Sequence, residues 1–133
     1  MTDYSNKKPI ASTDQFKKAL LAVRDDRKIK LSAQDISMLR AHCRAENHLI
    51  TATNLAIQTQ LTNFSVANLQ YGKLAHKIAD KIPYDPPKRK DRSTRWWFTL
   101  SYGLDGSDET DQGHFTWVMR PELVKALQEM KWA

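Results

Sequence analysis

Apolar positions recur at helical spacing over most of this chain and alternate in only two short runs. Phe16, Ala19, Leu20 and Val23 share one side of a helix that Ser12 opens, with Gln15 completing a capping box. The charged run Arg24 to Lys30 ends that helix and has no functional signature. Ser32 caps a second helix, with Asp35 at its third position and Leu31 able to pack on Ile36 as a hydrophobic staple. Ile36, Leu39 and Cys43 continue a buried stripe, and Arg40 and Arg44 lie outside it. Thr51 repeats the start signal, with Ile50 and Leu55 at staple spacing, for a short helix from Ala52 to about Gln60. Leu61, Thr62 and Asn63 supply a turn, and Phe64 and Ser65 repeat the staple and cap for a longer helix reaching Ile82.

Two helices joined by a tight turn outline a helix-turn-helix, whose second helix lies in a nucleic-acid groove. On that longer helix Ala67, Tyr71, Leu74, Ala75, Ile78 and Ile82 gather on one side, at about 100° per residue. Gln70, Lys73, Lys77 and Lys81 form a stripe on a neighbouring side, and Ser65 and Asn68 stand in the N-terminal turn. Two readings fit the stripe. It is a solvated face, or it tracks phosphates while Asn68 and Gln70 reach base edges. Gly72 falls mid-helix, which a close approach of another backbone would explain.

Pro83 stops the helix and begins a basic segment, 83–95, with Lys88, Arg89, Lys90, Arg92 and Arg95 against Asp85 and Asp91. Pro86 and Pro87 predict an extended, stiff connector that contacts phosphates or is a mobile surface loop. Trp96 to Tyr102 and His114 to Met119 alternate and predict two strands of a hairpin spanning 96–119, joined by a polar, Gly-rich tip from Gly103 to Gly113. Alternation admits only one ring of Trp96-Trp97 to the core. Trp97, with His114 and Thr116, is expected on the other face, where an exposed indole stacks on a base, anchors a protein partner, or covers a local cluster. Pro121 starts a closing helix, 121–131, with Leu123, Val124, Leu127 and Met130 inward. The expected fold is therefore α+β and mostly α: a winged-helix-like helix-turn-helix bundle with a two-stranded β-hairpin and a C-terminal helix. Residues 1–11 read as a flexible arm and 12–133 as one domain.

Composition narrows the function. A net charge of +6 favours a polyanionic partner. The single cysteine, Cys43, excludes an intrachain disulfide and fits a reducing cytoplasm, where a buried small side chain is expected. No apolar run reaches the length of about 20 residues that spans a bilayer. His42, His48, His76 and His114 share no ligand spacing, and no catalytic or nucleotide-binding motif is present. Asp105, Asp108, Glu109 and Asp111 in the hairpin tip do not match a calcium loop, so neither cofactor nor metal is expected. Four carboxylates repel phosphate, so this tip is expected to point away from a duplex.

The segments ISMLRAHCRAENHLITATNLA, VANLQYGKLAHKIADKI and WWFTLSY…FTWVMRPELVKALQEMKW cover about two-thirds of the chain. Through Leu39–His42, Thr51–Ala56, Asn68–Leu74 and Arg120–Leu123 they resemble the N-terminal module that precedes the catalytic domain of certain bacterial HNH endonucleases. The resemblance implies a DNA-targeting accessory module linked to restriction of foreign or modified DNA. The chain ends at Ala133 without the His-Asn-His motif, which implies a stand-alone binding module, a regulator or a mobile-element protein rather than a nuclease. The leading expectation is non-catalytic DNA binding through Ser65, Asn68, Gln70, Lys73, Lys77 and Lys81, extended by Lys88, Arg89, Lys90 and Arg92. The alternative is a protein-interaction adaptor or inhibitor that uses the aromatic hairpin face.

Overall fold

Capping decides where the first helices begin. A computed structural model describes residues 8–104 and 115–133. In it Ser12 and Ser32 both form complete capping boxes, with Gln15 and Asp35, and open α1 (Thr13–Asp25) and α2 (Ala33–Arg44). Thr51 accepts from the backbone N–H of Asn54 and opens α3 (Ala52–Thr59), which ends where Gln60 adopts a left-handed conformation. α4 (Phe64–Lys81) begins earlier than expected. Asn63 is its cap, accepting from the N–H of Val66, and this places Ser65 inside the first turn. Pro121 stands at the first position of α5 (Pro121–Glu129).

The chain is mostly helical, with a small antiparallel sheet of three strands. β1 (Leu49–Thr51) is too short to show alternation, and the helix signal at Thr51 hides it. β2 (Ser101–Gly103) and β1 both pair with β3 (Thr116–Met119), giving the order β1-β3-β2. Leu49 faces Val118 on one side, and Tyr102 faces Val118 on the other.

The strand expected from Trp96 is shorter than the alternation implied, because Trp96–Thr99 is a 3₁₀ turn. Trp97, Phe98, Thr99 and Leu100 are all buried, which a strand with one wet face does not allow and a tight turn inside the core does.

α1 packs on α4 and α5, α3 packs on α4, and the 3₁₀ turn packs on α4, so α4 is the central strut. Its buried residues are Ala67, Tyr71, Leu74, Ala75, Ile78 and Ala79, with Ile82 half-buried. α2 buries Met38, Leu39, His42 and Cys43 and leaves Ile36 half-buried. The end of the expected arm joins the core, with Ala11 buried and the Lys8 carbonyl accepting from Arg120. Among the described residues no helix is long and apolar enough to cross a membrane.

Candidate nucleic-acid interface

α4 presents Ser65, Asn68, Leu69, Lys73, His76 and Asp80 to solvent. Asn68 and Gln70 are two residues apart, about 200° on the helix, so they lie on opposite flanks and cannot enter one groove together. Asn68 is exposed and Gln70 half-buried.

The lysine stripe divides in the same way. Lys77 Nζ donates to Asp35 Oδ2 at 2.7 Å and to the Lys30 carbonyl at 3.1 Å. That Asp35 carboxylate is buried and also closes the α2 capping box. Lys81 Nζ donates to Asp26 Oδ2 at 2.8 Å. This bond, with the Ile29 and Lys28 amides, holds the Asp26 carboxyl well below the usual carboxylate range. Two lysines of the stripe therefore tie α4 to the loop between α1 and α2 and to the start of α2. Lys73 is exposed and makes no ion pair or hydrogen bond within the described residues.

Gly72 does not receive another part of the fold. Beyond the helix's own nearby backbone and the two adjoining residues, a Cβ built there would meet no atom within 4 Å. The glycine costs α4 about 1 kcal/mol relative to alanine, with no packing in return.

A buried polar chain fixes how α4 sits on the sheet. His42 Nε2 lies 3.1 Å from the Trp117 carbonyl, and its Nδ1 lies 2.9 Å from Tyr71 Oη. Burial lowers the His42 pKa to about 4, so the ring is neutral at pH 7. The carbonyl only accepts, so Nε2 carries the proton and Tyr71 donates to Nδ1. Ser101 Oγ, 2.5 Å from Tyr71 Oη, is then the next donor. Tyr71 also stacks on Trp117, with ring centroids 4.1 Å apart. Side chains of α2, α4 and β2 and a carbonyl of β3 are thereby held in one chain of bonds.

The connector is not extended throughout. Lys88 and Thr94 form an antiparallel bridge, Arg89 N donates to the Ser93 carbonyl at 2.7 Å, and Arg92 N donates to the Arg89 carbonyl at 3.0 Å. Residues 88–94 are a tight hairpin closed over Arg92, whose φ of 73° is left-handed. Buried Arg95 pins its base, donating from its backbone to the Pro87 carbonyl and from its guanidinium to the Lys88 carbonyl. Lys88 Nζ reaches Thr94 Oγ1 at 2.7 Å, and Arg89 Nη1 reaches the Thr94 carbonyl at 2.9 Å. The Lys90 and Arg92 side chains are exposed and bond to nothing among the described residues.

The next residue joins this hairpin to α4. Trp96 is half-buried and stacks on His76, with centroids 3.6 Å apart and planes within 9°. His76 Nε2 also lies 3.4 Å from Asp80 Oδ2. Trp97, the indole expected at the surface, is 4% exposed and packs edge-on against Phe98 and Phe115. Trp117, Tyr102 and Phe115 are buried as well, so apart from half-buried Trp96 the described aromatic residues of 96–119 belong to the core. His114 and the acidic tip, Asp105 to Asp111, lie outside the described residues.

Periodicity assigns Arg120 no role, and the resemblance includes it only within Arg120–Leu123. It is 1% exposed, its guanidinium donates twice to the Phe98 carbonyl, and it lies 4.5 Å over the Phe98 ring. Its place just before Pro121 was the available signal. A separate open groove of 720 Å³ runs between α2 and α3, with Arg40, Arg44, Asn54 and Gln58 on its rim. Arg40 there is tied to the Trp132 carbonyl at 2.7 Å. Compared with known protein families, curated proteins and solved structures, the chain finds no match.

Proposed function

We propose that this chain is a non-catalytic DNA-binding module that sets the solvent face of α4 and the 88–94 hairpin against a duplex. The observation that carries the reading is continuity. The basic hairpin ends at Arg95, and the adjacent Trp96 lies on His76 of α4, so the two elements form one surface. The element order supports it too. After α1, the order α2, β1, α3, α4, β2 and β3, with β1 paired to β3, is compatible with a winged helix in which α3 and α4 would be the helix-turn-helix. The basic hairpin takes the place that the acidic tip of the longer connection suits poorly.

In this reading the contact set is Ser65, Asn68, Lys73, Lys90 and Arg92, with Lys88 and Arg89 shaping the hairpin and adding charge. Gln70 lies on the other flank from Asn68, and Lys77 and Lys81 hold α4 in position. A role in restriction or in a mobile element, which the resemblance implies, belongs to the same proposal. In a mobility-shift assay on duplex DNA, Lys90→Glu/Arg92→Glu is expected to abolish binding while the far-UV circular dichroism stays that of the wild type. Unchanged binding would remove the hairpin from the interface.

A protein-binding adaptor is the second reading. It is favoured by Ile57 and Leu69, large apolar side chains exposed by 68% and 56% on adjacent helices. It predicts no salt-dependent DNA binding by the wild type.

A further inference from the structure

Gly72 weakens α4 more than any other residue of the helix and packs against no other part of the fold. Its backbone is helical, so no left-handed turn requires a glycine. Beyond the helix's own nearby backbone and the two adjoining residues, no atom lies within 4 Å of where a Cβ would stand, so no close packing against the rest of the fold requires a glycine either. Of its helical neighbours three and four positions away, Asn68, Leu69 and His76 are exposed and Ala75 is buried. With Gly72 half-buried and lacking a side chain, the helix surface dips between the three exposed side chains, and we call that dip a notch. Lys73 stands beside it, and the Trp96–His76 stack connects it to the exposed Lys90 and Arg92 of the hairpin.

We infer that this notch is where a strand of the bound duplex comes closest to α4. Without a Cβ, the strand reaches the helix backbone itself, with Asn68 and His76 to either side and Lys73 supplying opposite charge. The inference rests on the DNA-binding reading and adds to it the point of deepest contact. It also accounts for a glycine that the isolated fold leaves unexplained.

The test pairs stability with affinity. Gly72→Ala is expected to raise the melting temperature, since alanine is the better helix former and has open space to occupy. The same change is expected to weaken duplex binding at least tenfold, and Gly72→Gln more strongly. The slope of log affinity against log salt should stay that of the wild type, because no cation is lost. Wild-type affinity in Gly72→Ala, or a lowered melting temperature, overturns the notch while leaving the DNA reading in place. Absence of salt-dependent duplex binding by the wild type overturns both, so the two failures are distinguishable.

Discussion

Lysines one turn apart on α4 carry different burdens. Lys77 neutralises the buried carboxylate of Asp35, and removing it would leave that charge inside with the Ser32 amide as its one remaining donor among the described residues. Lys77→Ala is therefore expected to lower stability by roughly 2 kcal/mol in urea unfolding. Lys73→Ala, on an exposed and unbonded side chain, is expected to leave stability within about 0.5 kcal/mol of the wild type. Equal effects would mean that the Asp35 pair contributes nothing. Charge reversal at Lys77 is consequently a poor probe of binding, because it strikes the fold first. The stripe was visible in the sequence as spacing. Which lysine is committed to an ion pair was not, since Asp35 and Asp26 are 42 and 55 residues away and only the tertiary fold brings them near.

Among the elements, the His42–Tyr71–Ser101 chain carries the clearest pH dependence. Its histidine has a folded pKa of about 4, below the ordinary 6.5. Between those values the unfolded chain binds a proton that the folded protein does not, so stability is full above pH 6.5 and falls as the pH drops towards 4. At about 1.4 kcal/mol per pKa unit the loss approaches roughly 3 kcal/mol. Chemical unfolding at pH 7.5, 5.5 and 4.5 measures it, and a His42→Gln variant should lose most of the dependence. The helices that hold this chain were legible because capping and periodicity are local, as Ser12, Ser32 and Thr51 show. β1 and the Trp96–Thr99 turn were not legible. Three residues are too few for a period, and the alternation of Trp96, Phe98, Leu100 and Tyr102 is also what a buried turn followed by a short strand produces. The same ambiguity moved the surface indole from Trp97 to Trp96.

For the molecule as a whole, the resemblance motifs and the candidate contact surface differ in kind. His42, Tyr71, Trp117 and Arg120 all fall in the motif-bearing segments and all are buried. These four side chains hold the core, and none is available to a ligand. The proposed contact surface lies mostly on side chains with no internal duty: Lys73 on α4, and Lys90 and Arg92 on a hairpin that composition alone rendered as an extended connector. Its basic character was legible, and its closure by the Lys88–Thr94 bridge was not, because Pro86 and Pro87 speak only for the backbone before it. The central claim is that these cations meet phosphates as one surface. The salt dependence of duplex binding, measured by fluorescence anisotropy for the wild type and for Lys90→Ala/Arg92→Ala, tests it most directly. Three phosphate contacts give a slope of log affinity against log salt near roughly −3, and removing two of the cations should bring it to about −1. A wild type with no salt-dependent binding, or a double variant with an unchanged slope, would contradict the account.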